Sequence, residues 1–252
     1  MLIKILYKFF PRILFSIRKL IHVNEESEMK LLYFLCQGNK TSLDVGAKFG
    51  MYTHRLNNHS NKVIAFEPIK ELSGALSKIF GRENVDIMPL ALSDNAGSVS
   101  MRTPIYKSGN PCYGRSSIEI ENHLEFEKTD GWEEFTVETT RLDDLTIKDI
   151  GFIKIDVEGH EQAVLAGAVL TIQKYRPAML IEANNSHLPQ AIEKLFNWAE
   201  KNDYLVFFMF DEKIMSIEKY NIEYHHHQKG LENFILLHAN DELRIKKLKL
   251  AS

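Results

Sequence analysis

The sequence predicts an α/β fold with a doubly wound, mainly parallel β-sheet, and three observations support this prediction. Apolar runs typical of strands alternate with segments of helical periodicity along most of the chain. A glycine loop follows the first predicted strand directly, and acidic residues stand at several strand ends. Because open sheets of this kind bind ligands at the carboxyl ends of their strands, we expect a binding site at that edge.

The composition indicates one globular domain with no nucleic-acid partner. Of the 252 residues, 44% are hydrophobic, which suffices for one substantial core, and the net charge is −3. The two cysteines, Cys36 and Cys112, do not suggest a disulfide framework, so we expect a reducing cytoplasm. No apolar run approaches the ~18 residues that a membrane span needs.

The N-terminal segment differs in charge from the rest of the chain. We therefore divide the chain into a basic amphipathic and helical extension, residues 1–38, and a main domain, residues 39–252. The first 20 residues contain five Lys or Arg side chains and no acid. Such a segment either caps the domain with its apolar face or lies on an anionic membrane. The second interpretation predicts peripheral contact with the inner membrane face through residues 1–22.

The periodicity of the sequence predicts the following elements in chain order. Residues 26–37 form a helix. The strands of the main sheet are Ser42–Val45, Lys62–Phe66, Val85–Leu92, Phe152–Ile155, Ala178–Ile181, Leu205–Phe210 and Asn233–Leu237. The helices between them are Met51–Asn58, Ile69–Phe80, Glu161–Lys174 and Ala191–Lys201. The last two strands have no helical segment between them, which indicates one antiparallel strand.

A second group of extended segments lies outside this alternation. Residues 98–103 and 134–140 alternate between apolar and polar side chains, as strands do. A long polar stretch rich in glycine and proline separates them. Because long loops in compact domains are often lids or binding loops, we place substrate selection there.

The first motif is Thr41–Thr53, TSLDVGAKFGMYT, followed by VIAFEP at Val63–Pro68. Glycines let the backbone approach a ligand, and an acid at the tip of the next strand accepts hydrogen bonds from ribose hydroxyls. Glu67 lies 21 residues after Gly46, close to the ~20 expected. The loop lacks the middle glycine of the G-x-G-x-x-G fingerprint, which admits a pyrophosphate. A nucleoside ligand without a pyrophosphate fits better, and S-adenosylmethionine is the leading candidate.

Two further motifs extend this interpretation: LALSDNAG at Leu90–Gly97 and FIKIDVEGHEQAVLAGAVLTIQKYRPAMLIE at 152–182. Together with DVGAKFGMYT and FEP, they resemble the FkbM family of S-adenosylmethionine-dependent methyltransferases. The resemblance runs from about Thr41 to Glu182 and resumes at GLENFILL, residues 230–237. It implies a Rossmann-like, seven-stranded class I methyltransferase sheet with one antiparallel strand. Family members usually carry Asn where this chain has Lys48, whose cation should point outward or reach the carboxylate of the ligand.

The motifs and the resemblance assign roles in cofactor binding. Glu67 should hold the two ribose hydroxyls, while Gly46 and Gly50 admit the methionine part. Asp44 either orients the loop or accepts from the methionine ammonium. The predicted cofactor-binding residues are Asp44, Gly46, Ala47, Gly50, Tyr52, Thr53, Glu67, Pro68, Leu92, Ser93 and Asp156.

Three ionisable residues at the end of the fourth strand are the catalytic candidates: Asp156, Glu158 and His160. His160 could act as the base at neutral pH, or could instead cap the following helix. Asp156 or Glu158 could bind acceptor hydroxyls. A metal-assisted alternative places Mg²⁺ on Asp156, Glu182 and Asn184, because hard cations prefer such oxygen ligands.

We therefore predict an S-adenosylmethionine-dependent O-methyltransferase. The family resemblance implies that its acceptor is a hydroxyl of a small molecule, a sugar or a glycan precursor. Two alternatives stay open: a non-catalytic binding protein that retains the fold, and a nucleotide-dependent oxidoreductase. The complete DVGA, FEP and DVEG segments count against the first, and the missing middle glycine counts against the second.

Overall fold

A computed structural model describes residue 7 and residues 9–21, 26–119, 122 and 129–250, and of residues 249–250 it describes the backbone alone. Part of the predicted membrane-contact segment, residues 1–6, 8 and 22, therefore lies outside the described residues.

The main element is a mixed, mostly parallel sheet of eight strands. Its strands in chain order are β1 Thr41–Val45, β2 Lys62–Phe66, β3 Val85–Met88, β7 Ile150–Ile155, β8 Ala178–Glu182, β9 Tyr204–Phe210, β10 Lys213–Ser216 and β11 Asn233–His238. Strands β4 to β6 form a second sheet, which is described below. Their order across the sheet is β10-β9-β11-β8-β7-β1-β2-β3. The five strands from β8 to β3 are parallel, and β11 is antiparallel to both of its neighbours, β8 and β9.

Helices cover both faces of this sheet. They are α1 Pro11–Leu20, α2 Leu32–Leu35, α3 Met51–Asn57, α4 Lys70–Phe80, α5 Glu161–Ala166, α6 Val169–Tyr175, α7 Ala191–Lys201 and α8 Glu242–Leu250. Short 3-10 helices occur at Ser27–Leu31, Tyr113–Arg115, Leu142–Asp144 and Ile217–Lys219, and a π-helix occurs at Ile222–Gln228. Every residue of β1 and β7 is buried, as expected for central strands covered on both faces.

The seven-stranded prediction missed strand β10. This strand pairs with β9 in a hairpin, in which Phe210 faces Lys213 across a two-residue turn. Both turn residues, Asp211 and Glu212, have positive φ, as the favoured hairpin turns require. The sequence signal was hidden because the turn lacks the glycine that usually marks such a hairpin.

The predicted third strand, Val85–Leu92, divides into two strands in different sheets. Pro89 interrupts it because proline cannot donate a ladder hydrogen bond. Beyond it, Ala91–Leu92 forms β4 in a second sheet with the order β4-β6-β5. Strands β5, Gly97–Tyr106, and β6, Thr129–Thr140, extend the two predicted segments at 98–103 and 134–140. The predicted helix over 26–37 is also shorter than expected, since only Leu32–Leu35 is α-helical.

Helix α1 packs one face on the domain and presents the other outward. Phe15 is buried, and its ring meets Phe80 of α4 edge to face, with centroids 5.4 Å apart. Large apolar side chains nevertheless remain exposed around the helix: Phe9, Phe10, Ile13, Ile17, Leu20 and Ile21. Among the described residues, no helix combines the length and apolar character needed to cross a membrane.

Candidate active site

Four acidic residues meet at the carboxyl edge of the main sheet. Asp44, Glu67, Asp156 and Glu182 each stand at or just beyond the end of β1, β2, β7 or β8. These strands are neighbours in the order β8-β7-β1-β2. The parallel arrangement thus brings together residues that are far apart in the sequence.

The glycine loop after β1 passes close to the backbone of β7. Gly46 has φ of 80°, and a Cβ atom there would lie 2.0 Å from the carbonyl oxygen of Asp156. Gly50 has φ of 81°, and its Cβ would lie 2.6 Å from the side chain of Leu76. Another residue at Gly46 would collide with backbone, whereas at Gly50 the side chains of Leu76 and Phe80 would have to move and the positive φ would be strained. The two positions where we predicted a need for glycine are therefore sterically constrained.

The amides of this loop are already engaged within the protein. The backbone nitrogens of Gly46 and Ala47 both donate to the carbonyl oxygen of Phe66, at 3.0 Å. Thr53 donates its hydroxyl proton to the buried Asp44 carboxylate at 2.6 Å, which ties β1 to α3. The other carboxylate oxygen of Asp44 has no hydrogen-bond partner in the described structure, so both of its predicted roles, orienting the loop and accepting from the methionine ammonium, stay predictions.

Glu67 is a buried carboxylate with acceptor capacity to spare. Its two oxygens accept from the backbone nitrogens of Lys48, at 2.8 Å, and Ile69, at 2.9 Å. Each carboxylate oxygen has a second lone pair, so a vicinal diol could still bind. Burial raises the pKa of Glu67 to about 7, and the two amides and the Lys48 charge only partly oppose that rise.

Lys48 does not point outward, which was one of the two positions that the sequence suggested. Its backbone is left-handed, with φ of 49°, and its ammonium turns inward to Asp156, at 2.7 Å, and to Glu158. Burial opposes its charge, but these carboxylates hold the pKa of Lys48 well above the ordinary value. The cation is therefore neutralised by protein acids within the site.

Asp156 lies between two lysines. Its second oxygen accepts from Lys154 at 2.9 Å, and Lys154 is also 3.8 Å from Asp44. Burial disfavours the charged carboxylate, but Lys154 and Lys48 hold the pKa of Asp156 well below the ordinary value. Burial and the neighbouring charges of Asp156 and Glu158 have the reverse effect on Glu182, whose pKa is raised well above the ordinary value. The site therefore holds two neighbouring carboxyl groups whose pKa values are shifted in opposite directions.

His160 lies on the side of the site nearest β4. Its Nε2 is 2.9 Å from the hydroxyl oxygen of Ser93, and its Nδ1 contacts the carboxylate of Glu119. Glu161, the next residue, accepts from the backbone nitrogens of Val157 and Gly159. The histidine thus links the strand end to the long polar loop, and both of its ring nitrogens have partners.

The residues predicted to hold Mg²⁺ have other contacts. The side-chain oxygen of Asn184 accepts from the backbone nitrogen and the hydroxyl of Ser186, at 2.7 and 2.6 Å. Asp156 is held by its lysines. A different group, Glu158, Glu182 and His187, has potential ligand atoms within 4.8 Å of one another. Glu182 alone is common to this group and the predicted one.

Two cavities flank the loop. The larger, about 490 Å³, is lined by the loop, by Asp156 and Glu182, and by residues of the N-terminal helix. The smaller, about 40 Å³, is an apolar slot between Phe66, Pro68 and Leu92 with Glu67 at its end. The chemistry of this slot fits an adenosine, but its walls must separate to admit one, because pockets for drug-sized ligands measure roughly 300–1,000 Å³.

The second sheet and the polar loop form the outer wall of the slot. Met101 of β5, together with Tyr113 and Ile118 of the loop, lines it. These residues lie in the stretch to which we assigned substrate selection. Movement of this wall against the main sheet would open the slot without disturbing the strand ends.

Comparison with known proteins found a family profile and solved structures that are similar to this chain. The profile of the methyltransferase FkbM domain matches residues 44–227. A methyltransferase FkbM from Methylobacillus flagellatus KT shares the fold, with a TM-score of 0.52 and 15% identity over 82% of this chain. The chain spans about half of that protein, 48% of its length. An O-methyltransferase from Bacillus cereus in complex with SAH gives a TM-score of 0.49 and 13% identity, covering 85% of this chain and 81% of its own. No curated protein matches the sequence.

Proposed function

Because this chain belongs to the FkbM methyltransferase family, we propose that it transfers a methyl group from S-adenosylmethionine to a hydroxyl of a sugar or glycan precursor. The observation that carries the proposal is the buried Glu67 carboxylate, which ends an apolar slot beside the glycine loop. The slot joins the larger cavity at Lys48 and Asp156, which line both. A nucleoside in the slot would therefore direct its reactive end toward the larger cavity.

The cofactor would supply the methyl group, and the residues of this chain would hold and align both partners. Glu67 would accept from the ribose hydroxyls, and Gly46 would let the chain pass close to the methionine part. The ionised carboxylate of Asp156 would orient the acceptor hydroxyl, and His160, the candidate base beside it, would take the proton that the hydroxyl releases. Alignment of the two reacting atoms would supply much of the rate enhancement.

Ligand binding tests this proposal against both alternatives. We expect calorimetry with purified protein to show binding of S-adenosylmethionine and of S-adenosylhomocysteine, and no binding of NAD. Binding of NAD alone would favour a nucleotide-dependent oxidoreductase. Binding of none of these three ligands would favour a non-catalytic protein, in which Lys48 and the narrow slot block the site.

We further propose that the exposed face of α1 places the protein on the inner face of a membrane. Ile13, Ile17 and Leu20 recur at helical spacing and are all exposed, while Phe15 is buried. Two cations of the helix, Arg12 and Lys19, are exposed, and the helix carries no acid; near an anionic surface each of these cations could contribute about 1 kcal/mol. Lipid-linked glycan precursors would give the protein a reason to be there. The burial of Phe15 is consistent with one face of the helix capping the domain, and our proposal assigns the exposed face to the membrane.

Co-sedimentation with vesicles tests this proposal. We expect binding to vesicles that contain anionic lipid, weakened by added salt and reduced by the double change I13S/I17S. Because both side chains are exposed, this variant should keep its unfolding temperature. Ser16→Ala, an exposed position on the same helix, is the control and should bind normally. Equal sedimentation of all three proteins, or none at all, would contradict the proposal.

A further inference from the structure

We infer that the larger cavity contains a subsite for an oxyanion, formed by Arg18, Tyr7 and Tyr113. This inference rests on the proposed function, because the oxyanion would belong to the acceptor: a sugar that carries a carboxylate or a phosphate. All three residues line the cavity that also contains Asp156.

Arg18 points into the protein and away from the exposed face of α1. Its guanidinium carbon lies 3.9 Å from the centroid of the Phe49 ring and 5.9 Å from that of Tyr7. Stacking on a ring leaves the N–H groups at the edge of the guanidinium free to donate. In the described part of the chain, no carboxylate pairs with Arg18. By contrast, Lys48 and Lys154 in the same cavity are both paired with acids.

The two tyrosines supply hydroxyls that the protein leaves unused. Tyr7 and Tyr113 are 6% and 4% exposed, and neither hydroxyl has a hydrogen-bond partner within the described structure. Buried polar atoms seldom lack a hydrogen-bond partner, and those that do commonly indicate a ligand or a water molecule. Burial raises the pKa of both phenols, so they remain protonated donors. The positive charge of Arg18 lowers the pKa of Tyr7 and so partly offsets the effect of burial. No hydrogen bond of acceptable geometry joins the Tyr7 hydroxyl to Arg18.

The acids around the cavity do not compete for Arg18. Glu26 accepts from the hydroxyl of Tyr52 at 2.7 Å and from the amide of Asn233 at 3.0 Å. Asp156 and Glu158 are held by lysines, and burial together with the charges of Asp156 and Glu158 raises the pKa of Glu182, which disfavours its charged form. Two further acids, Glu71 and Glu133, act on Tyr113 and add to the rise in the pKa of its phenol, but no carboxylate of the described residues pairs with Arg18. A ligand that bound the Arg18 guanidinium would therefore have to bring its own negative charge.

The chemistry of these three residues selects an oxyanion over a neutral hydroxyl. A guanidinium donates two parallel hydrogen bonds to a carboxylate or phosphate, and phenol hydroxyls add further donors. The subsite also joins two segments that sequence reasoning kept apart: the N-terminal extension and the polar loop. Both would be needed to recognise the acceptor.

Binding of small probes to the full-length protein tests the subsite directly. We expect glucose 1-phosphate or glucuronate, and not glucose, to bind when followed by ligand-observed NMR. Arg18→Gln should weaken that binding at least about tenfold, as expected for the loss of a charge-assisted contact. Tyr113→Phe should weaken it by a smaller factor and leave the unfolding temperature unchanged. Preference for one of the two anions would identify the oxyanion as phosphate or carboxylate.

Two controls separate this inference from the proposed function and from general loss of structure. Arg12→Gln removes the same charge from the same helix at an exposed position whose guanidinium donates to the carbonyl of Lys78. It should bind the anions normally. S-adenosylhomocysteine affinity should be the same in Arg18→Gln, Arg12→Gln and the wild type, because neither arginine lines the slot; absence of this binding would count against the proposed function alone. Equal binding of glucose and the anions, or an equal effect of Arg12→Gln and Arg18→Gln, would overturn the inference.

Discussion

Replacing Glu67 with alanine should weaken S-adenosylmethionine binding by at least about a hundredfold. The change removes two charge-assisted hydrogen bonds to the ribose, each contributing on the order of 1.5–3 kcal/mol. It also leaves the amides of Lys48 and Ile69 without their acceptor, which would loosen the glycine loop. Calorimetry measures the loss, and Glu67→Gln separates the two causes. Glutamine keeps the shape and one acceptor oxygen, so we expect an intermediate affinity.

The pH dependence of binding gives the same prediction a second, independent test. Burial raises the pKa of Glu67 to about 7, so its carboxylate is lost as the pH falls through neutrality. Adenosine is a suitable probe because it has no group of its own that titrates in this range. Its affinity should fall roughly tenfold from about pH 8 to about pH 6, and the Glu67→Gln variant should show no such change. A flat profile in the wild type, or unchanged affinity in Glu67→Ala, would remove Glu67 from the ribose site.

Features that a local sequence pattern places could be predicted from the sequence, whereas contacts between segments distant in the chain could not. The strand ends and the glycines were predictable because a local pattern places them: an apolar run, then Asp44, then Gly46. The same holds for Glu67, which directly follows β2. These residues would lie at one edge in any parallel sheet, whatever the remaining contacts.

The contacts that the sequence did not predict join segments distant in the chain. Lys48 was expected to face outward or toward the ligand, but the acids that attract it come from β7, more than 100 residues later. Lys154 gave a usable signal, because a lysine inside an apolar strand must find a buried acid. Glu119 and Tyr113 gave none, since the polar loop has no periodicity from which its docking could be derived. Arg18 was assigned to a membrane surface by its charge, and only the fold shows that it faces the cavity.

Replacing Asp156 with alanine should abolish methyl transfer while S-adenosylmethionine affinity stays within about tenfold, or roughly 1.4 kcal/mol. The carboxylate is ionised and lies where the slot meets the larger cavity, so it can accept a hydrogen bond from an acceptor hydroxyl. Because Lys48 keeps Glu158 and Lys154 keeps Asp44, neither lysine loses all of its acidic neighbours. Asp156→Asn, which preserves shape and removes charge, should be nearly as inactive.

The control is Asp143→Asn, a buried acid outside both cavities that accepts from the amides of Leu170 and Thr171. This variant should lose stability but retain turnover in its folded fraction, which separates a damaged fold from a damaged site. Turnover in Asp156→Ala would contradict the catalytic assignment.

Chelation then decides between the two mechanisms that the sequence left open. If EDTA stops the wild-type enzyme and Mg²⁺ restores it, a cation activates the acceptor; Glu158, Glu182 and His187 then become its ligands. If EDTA has no effect, Asp156 orients the acceptor without a metal, and His160→Gln shows whether the histidine serves as the base or only joins Ser93 to Glu119.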